Sequence, residues 1–313
     1  MIQSDQQPTQ GVSAGLMMAL GAAALFALKA IFVKLAYRYG VDVETLILLR
    51  MVFALPFYLA IAIYISANKN WTPMPSNDWA KVIALGVCSY YLASYLDLQS
   101  LRYISANFAR LILYLYPTLV LLLGFLFLGR QPSRRELLCV AGAYCGILMI
   151  YWQDQGFSTG APVPAWAPVS ALSWGALLAF GSALCFATYV TFSEGIIRRL
   201  GSQQFTALAM LAASAAIMMH FSIQGDFRRL VQPWPVYAYA LTVAFVCTVL
   251  PTLLLNAAIE HIGSTKTGAI SSIGPVFTLF AAAWILGEPF GAYHLVGMGI
   301  IIGSLSLLRK NSK

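Results

Sequence analysis

Apolar residues in this chain run together instead of alternating with polar ones. Each run lasts about twenty residues and ends at a short polar break, which is the length a helix needs to cross the hydrocarbon of a bilayer. Ten runs are read, at about 14–37, 44–66, 79–100, 104–128, 135–152, 172–196, 203–223, 235–258, 265–287 and 290–308. The pattern predicts an all-α integral membrane protein with ten transmembrane helices. The connections are mostly short and leave no room for a separate soluble domain. Asp5 is the only charge before Lys29, and the first run is too long for a cleaved signal peptide. The segment 153–173 is rich in Gly, Pro, Ser and Ala and holds no Lys or Arg. It reads as a flexible external linker.

The second half of the chain echoes the first. Ile104, Ile112, Pro117, Leu121, Leu128 and Gly129 fall without a gap on Ile262, Ile270, Pro275, Leu279, Leu286 and Gly287. Upstream, Gly15, Ala19, Gly21, Ala23, Phe26, Ala27 and Arg38 fall on Gly175, Ala179, Gly181, Ala183, Phe186, Ala187 and Arg198. The expected organisation is a five-helix repeat over 1–152, the linker over 153–173, and a second five-helix repeat over 174–313. Five is odd, so the second repeat enters the membrane from the opposite side. Inverted repeats of this kind build transporters, with the site between the two bundles. Small residues at helical spacing, such as Gly15, Ala19 and Ala22, and Gly175, Ala179 and Ser182, predict close helix packing. Pro117 and Pro275 sit mid-span and predict bends, either framing a cavity or purely structural.

Composition agrees with a membrane: 60% of residues are hydrophobic and 10% are charged. The net charge of +8 orients the chain and does not point to nucleic acid. With the N-terminus inside, the cytoplasmic side gathers Lys69, Lys81, Arg130, Arg134, Arg135, Arg198, Arg199, Lys266, Arg309, Lys310 and Lys313. The other side keeps Arg38, Arg102, Arg228 and Arg229. The excess predicts both termini in the cytoplasm of a multi-pass inner-membrane protein. The expected partners are the lipid bilayer and a small-molecule substrate, with no nucleic acid and no obligatory protein partner.

The five cysteines, Cys88, Cys139, Cys145, Cys185 and Cys247, lie inside apolar spans without metal-ligand spacing, and read as packing residues. No zinc motif, phosphate loop or nucleophile elbow is found. No metal, cofactor or enzyme activity is expected.

Ionisable residues inside spans are costly, and face protein or water. Counting along the spans puts Lys29, Arg50, Asp97 and Arg110 at a similar depth toward the exterior. Asn107, Arg110 and Tyr114 share one helical face, as do Tyr90, Ser94 and Asp97. Three cations against one carboxylate suit an anionic ligand, which Arg can hold through paired hydrogen bonds. The opposing account is internal neutralisation: Asp97 with Lys29 or Arg110, and Arg50 with Asp42 or Glu44. Repeat alignment sets Tyr189 opposite Lys29 and Asn256 beside the position matching Asp97. Ser271, Ser272 and Thr252 add neutral polarity. The candidate substrate-binding residues are therefore Lys29, Asp97, Asn107, Arg110, Tyr114, Tyr189, Asn256 and Ser271. Glu194 and Glu260 read as surface partners of Arg198 or Lys266, with proton coupling as the alternative.

The run Leu101-Arg102-Tyr103-Ile104-Ser105-Ala106, followed by Pro117 and Leu128-Gly129-Arg130, resembles the EamA-type signature of the drug/metabolite transporter superfamily. Ile259 through Gly263, Pro275 and Leu286-Gly287-Glu288-Pro289 form a second copy, and Leu49-Arg50 matches a further recurrent feature. Arg130 departs from the pattern, standing where the family usually has an acidic residue, as at Glu288. The resemblance implies ten helices in two inverted repeats, a central cavity and alternating access. It also implies a metabolite transporter, often an exporter, of amino acids, other metabolites, nucleotide-linked compounds or toxic cations. With the buried charges, the expectation is export of small carboxylate-bearing or amino-acid-like compounds. The alternatives are efflux of lipophilic or quaternary cations, served by cation–π contacts, and a non-transporting membrane scaffold or receptor.

Overall fold

The helices begin and end where the sequence supplies caps. A computed structural model describes residues 9–68, 71–113, 115–129, 170–224, 226–271, 274–288 and 291–309, with residues 134, 138, 141, 142, 144–146 and 149 between. The first half holds α1 (Thr9–Tyr37), α2 (Val43–Ala67), α3 (Ser76–Gly86), α4 (Ser94–Ser100), α5 (Ala106–Leu113) and α6 (Tyr116–Leu128). The second holds α7 (Ala171–Leu200), α8 (Ser202–Gln224), α9 (Trp234–Ala244), α10 (Leu250–Ile262), α11 (Ser264–Ser271), α12 (Gly274–Ala281) and α13 (Ala292–Arg309). No strand occurs among the described residues. Six stretches are long and apolar enough to cross a membrane: Ser13–Tyr37, Val43–Ala67, Ala106–Leu128, Ala171–Leu200, Ser202–Ile223 and Trp234–Ile262. The span expected at 135–152 lies largely outside the described residues, as does the linker up to residue 169.

Asp42 caps α2. Its carboxylate accepts from the Thr45 backbone N–H at 3.0 Å and the Thr45 hydroxyl at 2.8 Å. Partial burial works against ionisation there, yet these hydrogen bonds hold the carboxyl below its ordinary value. Ser170 caps α7 by accepting from Ser173 N–H. That cap starts the helix at Ala171, inside the segment expected to be linker. Gly129 and Gly287 close the α6 region and the region after α12 at φ +64° and +68°, a conformation that costs glycine little.

Pro117 follows a break between two helices rather than a bend within one. Pro117 sits in the first turn of α6, after α5 has ended at Leu113. Pro275 is likewise the second residue of α12, and residues 272 and 273 before it lie outside the described ones. Three further irregularities among the described residues have no counterpart in the sequence expectation. One π-helical segment, Val87–Ala93, joins α3 to α4, a second, Phe245–Val249, joins α9 to α10, and a third, Ala282–Leu286, follows α12. Pro251 follows the second and offers no N–H to the preceding turn. There the Thr248 hydroxyl donates to the Val243 carbonyl at 2.8 Å, and the Thr252 hydroxyl to the Thr248 carbonyl at 2.7 Å.

Packing between the halves is reciprocal. A Cβ at Gly15 of α1 would stand 2.7 Å from Ile262 Cγ2, and one at Gly175 of α7 would stand 2.7 Å from Ile104 Cγ2. The positions one and a half turns on repeat the exchange. Gly21 faces Leu254 Cδ1 at 3.4 Å, and Gly181 faces Leu96 Cδ1 at 3.3 Å. The first helix of each half thus lies against the third span of the other, at a distance that only missing side chains permit.

Candidate functional site

The helices of both halves leave a cleft between them. Its walls carry Phe26 and Lys29 from α1, Arg50 from α2, Asp97 from α4 and Arg110 from α5. Tyr116 of α6, Phe186 of α7, Thr252 of α10 and Ser271 of α11 complete the polar and aromatic lining. The first two π-helical segments reach it, through Ser89 and Tyr90 on one side and Cys247 and Thr248 on the other. Such segments recur at functional sites because they displace a helix's side chains and free its backbone groups. The volume inside the cleft is about 70 Å³.

Asp97 is the centre of the charged wall. Its Oδ1 accepts from Arg110 Nη2 at 2.5 Å, and Lys29 Nζ lies 2.7 Å from Oδ2. Three helices are joined by this one carboxylate, which is only 1% exposed. Arg50 is 2% exposed and lines the same cleft without a direct ion pair to Asp97. Its Nη2 donates to the backbone carbonyl of Tyr90 at 3.3 Å, within the first π-helical segment. Its Nε has no partner among the described residues. The pairing of Arg50 with Asp42 or Glu44, weighed from sequence, does not occur. Asp42 is occupied as the α2 cap, and Glu44 accepts from Tyr95 at 3.0 Å and Gln99 at 3.4 Å.

The second half contributes neutral polarity. Tyr189 donates to Asn256 Oδ1 at 2.7 Å, and its hydroxyl lies 2.6 Å from that of Tyr90. Asn256 Nδ2 donates to Thr206 Oγ1 at 2.6 Å and to the Tyr90 hydroxyl at 3.3 Å. Tyr58 and Thr252 share a hydrogen bond of 2.7 Å. Phe186 packs edge-on against Tyr116 and Phe26, with centroids 4.9 Å and 6.5 Å apart.

The structure therefore divides the residues singled out from sequence. Lys29, Asp97, Arg110 and Ser271 line the cleft. Tyr189 and Asn256 are fully buried behind its wall and bond to each other. Asn107 is buried, its side-chain polar atoms have no partner among the described residues, and it is not part of the lining. Tyr114 lies outside the described residues, as does Ser272. Arg50 was left out of the candidate set, although its depth in the span matched that of the other three charges. The π-helical segments gave no signal beyond Pro251.

Carboxylates elsewhere sit on helix N-termini, where backbone N–H groups and the helix dipole favour them. Glu288 accepts from Ala106 N at 2.8 Å and Asn107 N at 3.1 Å, at the start of α5, and lies 3.2 Å from Lys34 Nζ. Glu194 accepts from the Ser264 backbone N–H and hydroxyl at the start of α11 and pairs with Arg198 at 3.2 Å. Glu260 accepts from Ser202 N at 3.1 Å. The expected surface pair holds for Glu194, while Glu260 serves a helix terminus instead.

Residues 13–152 and 173–309 match the EamA-like transporter family. The chain belongs to that family. It is similar to an uncharacterized transporter, YcbK, of Bacillus subtilis (strain 168), with 28% identity covering 96% of this chain and 94% of that one. A solved crystal structure with 15% identity has the same fold, at a TM-score of 0.68 over 96% of this chain and 99% of the other. The protein is thus a multi-pass membrane transporter of the EamA family. A member of this family acts on small molecules within a membrane, and the cleft is placed where both halves can reach such a solute.

Proposed function

We propose that this transporter is an inner-membrane exporter of small carboxylate-bearing or amino-acid-like compounds. The observation that carries the reading is the charge of the cleft wall: Lys29, Arg50 and Arg110 against Asp97 alone. Removing charges from water is costly, and an incoming anion relieves the excess positive charge. The transport cycle is alternating access between two inverted five-helix repeats, residues 1–152 and 174–313, joined by an external linker over 153–173. The reciprocal glycine contacts and the two corresponding π-helical segments support that symmetry. The basic-residue count supports cytoplasmic termini.

The aromatic side chains of Phe26, Tyr90, Tyr116 and Phe186 in the lining favour a second reading, efflux of organic cations through cation–π contacts. Uptake into proteoliposomes, normalised to inserted protein, separates the two. Lys29→Met should slow carboxylate substrates more than neutral analogues of the same size. Arg110→Lys keeps the charge but loses the planar fork, and should slow them as well. Unchanged carboxylate transport by both variants removes the main support for this substrate class. Faster transport of an organic cation by Lys29→Met replaces it with the second reading.

A further inference from the structure

The two ends of an amino acid would not be treated alike in this cleft. Asp97 is the one carboxylate among the described lining residues, and both its oxygens are engaged, one by Arg110 and the other by Lys29. A substrate ammonium would have to displace one of these cations to reach it. Left without a carboxylate, an ammonium taken out of water carries a large desolvation cost. Donors, by contrast, are in surplus. The Arg50 Nε, the Arg110 Nε and the hydroxyls of Ser89 and Ser271 are all buried and unpartnered among the described residues. Buried polar groups are normally hydrogen-bonded, so this set is incomplete without an acceptor.

Arg50 differs from the other two cations in what holds it. Lys29 and Arg110 both contact Asp97, whose single charge offsets one of the two. Among the described residues Arg50 has only a neutral partner, the Tyr90 carbonyl at 3.3 Å, and no carboxylate lies within ion-pair distance of it. That carbonyl belongs to the Val87–Ala93 π-helical segment, where it accepts one guanidinium hydrogen and leaves Nε free. We propose that Arg50 anchors the anionic group of the substrate and that the cleft selects organic anions lacking an ammonium group, so that amino acids are discriminated against. This rests on the transport reading above and narrows its substrate class. Lys29, Asp97 and Arg110 then act as an ion-paired brace that holds the wall, and Arg50 is the cation that no described carboxylate contacts.

The test compares ligands that share a body and differ in charge, binding to the full chain in lipid nanodiscs. One set is 3-phenylpropionate, phenylalanine and phenethylamine; a smaller set is propionate, alanine and ethylamine. In at least one set the acid should bind about tenfold or more tightly than the amino acid, the difference of one charge-assisted hydrogen bond. The amine should bind weakest. Arg50→Gln should weaken the acid by about the same factor and leave the amino acid little changed. The ranking with the unmodified chain needs no variant, so a poorly folded Arg50→Gln protein does not block the test. An amino acid that binds as tightly as its acid overturns the selectivity and leaves amino-acid transport standing. An amine that binds tightest overturns this proposal and the carboxylate reading together. Equal acid affinity in a folded Arg50→Gln protein removes Arg50 as the anchor. Binding of neither acid overturns the proposal, and counterflow of any other solute would still uphold the transporter.

Discussion

Asp97 does at residue scale what the rest of the first half depends on: it contacts two cations on two other helices. Lys29 and Arg110 were visible in the sequence because charges inside apolar runs stand out, and counting helix turns put them level with Asp97. Which cations a carboxylate actually takes is decided by side-chain reach across helices, and sequence carries no such information. Arg50 shows the difference. It sits near Asp42 and Glu44 in sequence, yet a helix cap and the Tyr95–Gln99 pair have already claimed those carboxylates. Asp97→Asn keeps the shape and removes the charge, leaving Lys29 and Arg110 uncompensated in a dry wall. Breaking a buried ion pair on one side costs about 3–5 kcal/mol. Thermal unfolding in detergent should therefore place Asp97→Asn well below the unmodified protein, and replacing Lys29 by Met in the same chain should recover part of the loss. No recovery in the double variant would mean that Asp97 acts through something other than charge compensation.

Glycine matters at element scale where two helices meet more closely than side chains allow. The small-residue faces of the first and sixth spans were readable from spacing alone, and they do carry the contacts between α1 and α10 and between α7 and the turn after α4. Gly86 was not readable, because a single glycine gives no periodic signal. It ends α3 where that helix touches α8: a Cβ there would stand 2.3 Å from the Ala209 carbonyl oxygen and 2.8 Å from Ala209 Cα. Backbone cannot swing aside as a side chain can. Gly195 of α7 has nothing within 4 Å of its Cβ position, so it serves as the control. Gly195→Ala should be neutral or stabilise by up to about 1 kcal/mol through helix propensity, whereas Gly86→Ala should lower the unfolding temperature. Equal behaviour of the two variants would contradict the α3–α8 contact. The π-helical segments were hidden for a related reason. Widening a helix by one residue is a response to neighbours, and of its causes only Pro251 is written in the local sequence.

At the scale of the whole molecule, the membrane-length apolar helices were readable because apolar runs are patterns along the chain. The fastening of the halves was not, since it joins residues far apart in sequence. Glu288, after the ninth span, holds the start of α5 and pairs with Lys34 of α1, and Arg38 donates to the Leu286 carbonyl at 3.4 Å. The corresponding work elsewhere falls to Glu194, which in the repeat alignment matches Lys34 and holds the start of α11. The charges are thus exchanged between the halves: an incoming carboxylate meets a resident lysine in one, and the resident residue is itself the carboxylate in the other. In an alternating-access cycle, the Glu288 contacts have to break when that end opens. Glu288→Gln keeps the size but can accept only one of the two backbone N–H groups, and it loses the charge that Lys34 and the α5 terminus favour. It should therefore shift the population toward the state open at that end. A single cysteine at Ser271, in a chain with the five native cysteines replaced, reports this through its labelling rate by a membrane-impermeant maleimide. Labelling from the exterior should rise in Glu288→Gln, and labelling from the cytoplasmic side should fall. If the rates do not change, Glu288 is a static helix cap. If labelling rises from the cytoplasmic side instead, the assigned orientation of the chain is reversed, and the external linker and cytoplasmic termini exchange places with it.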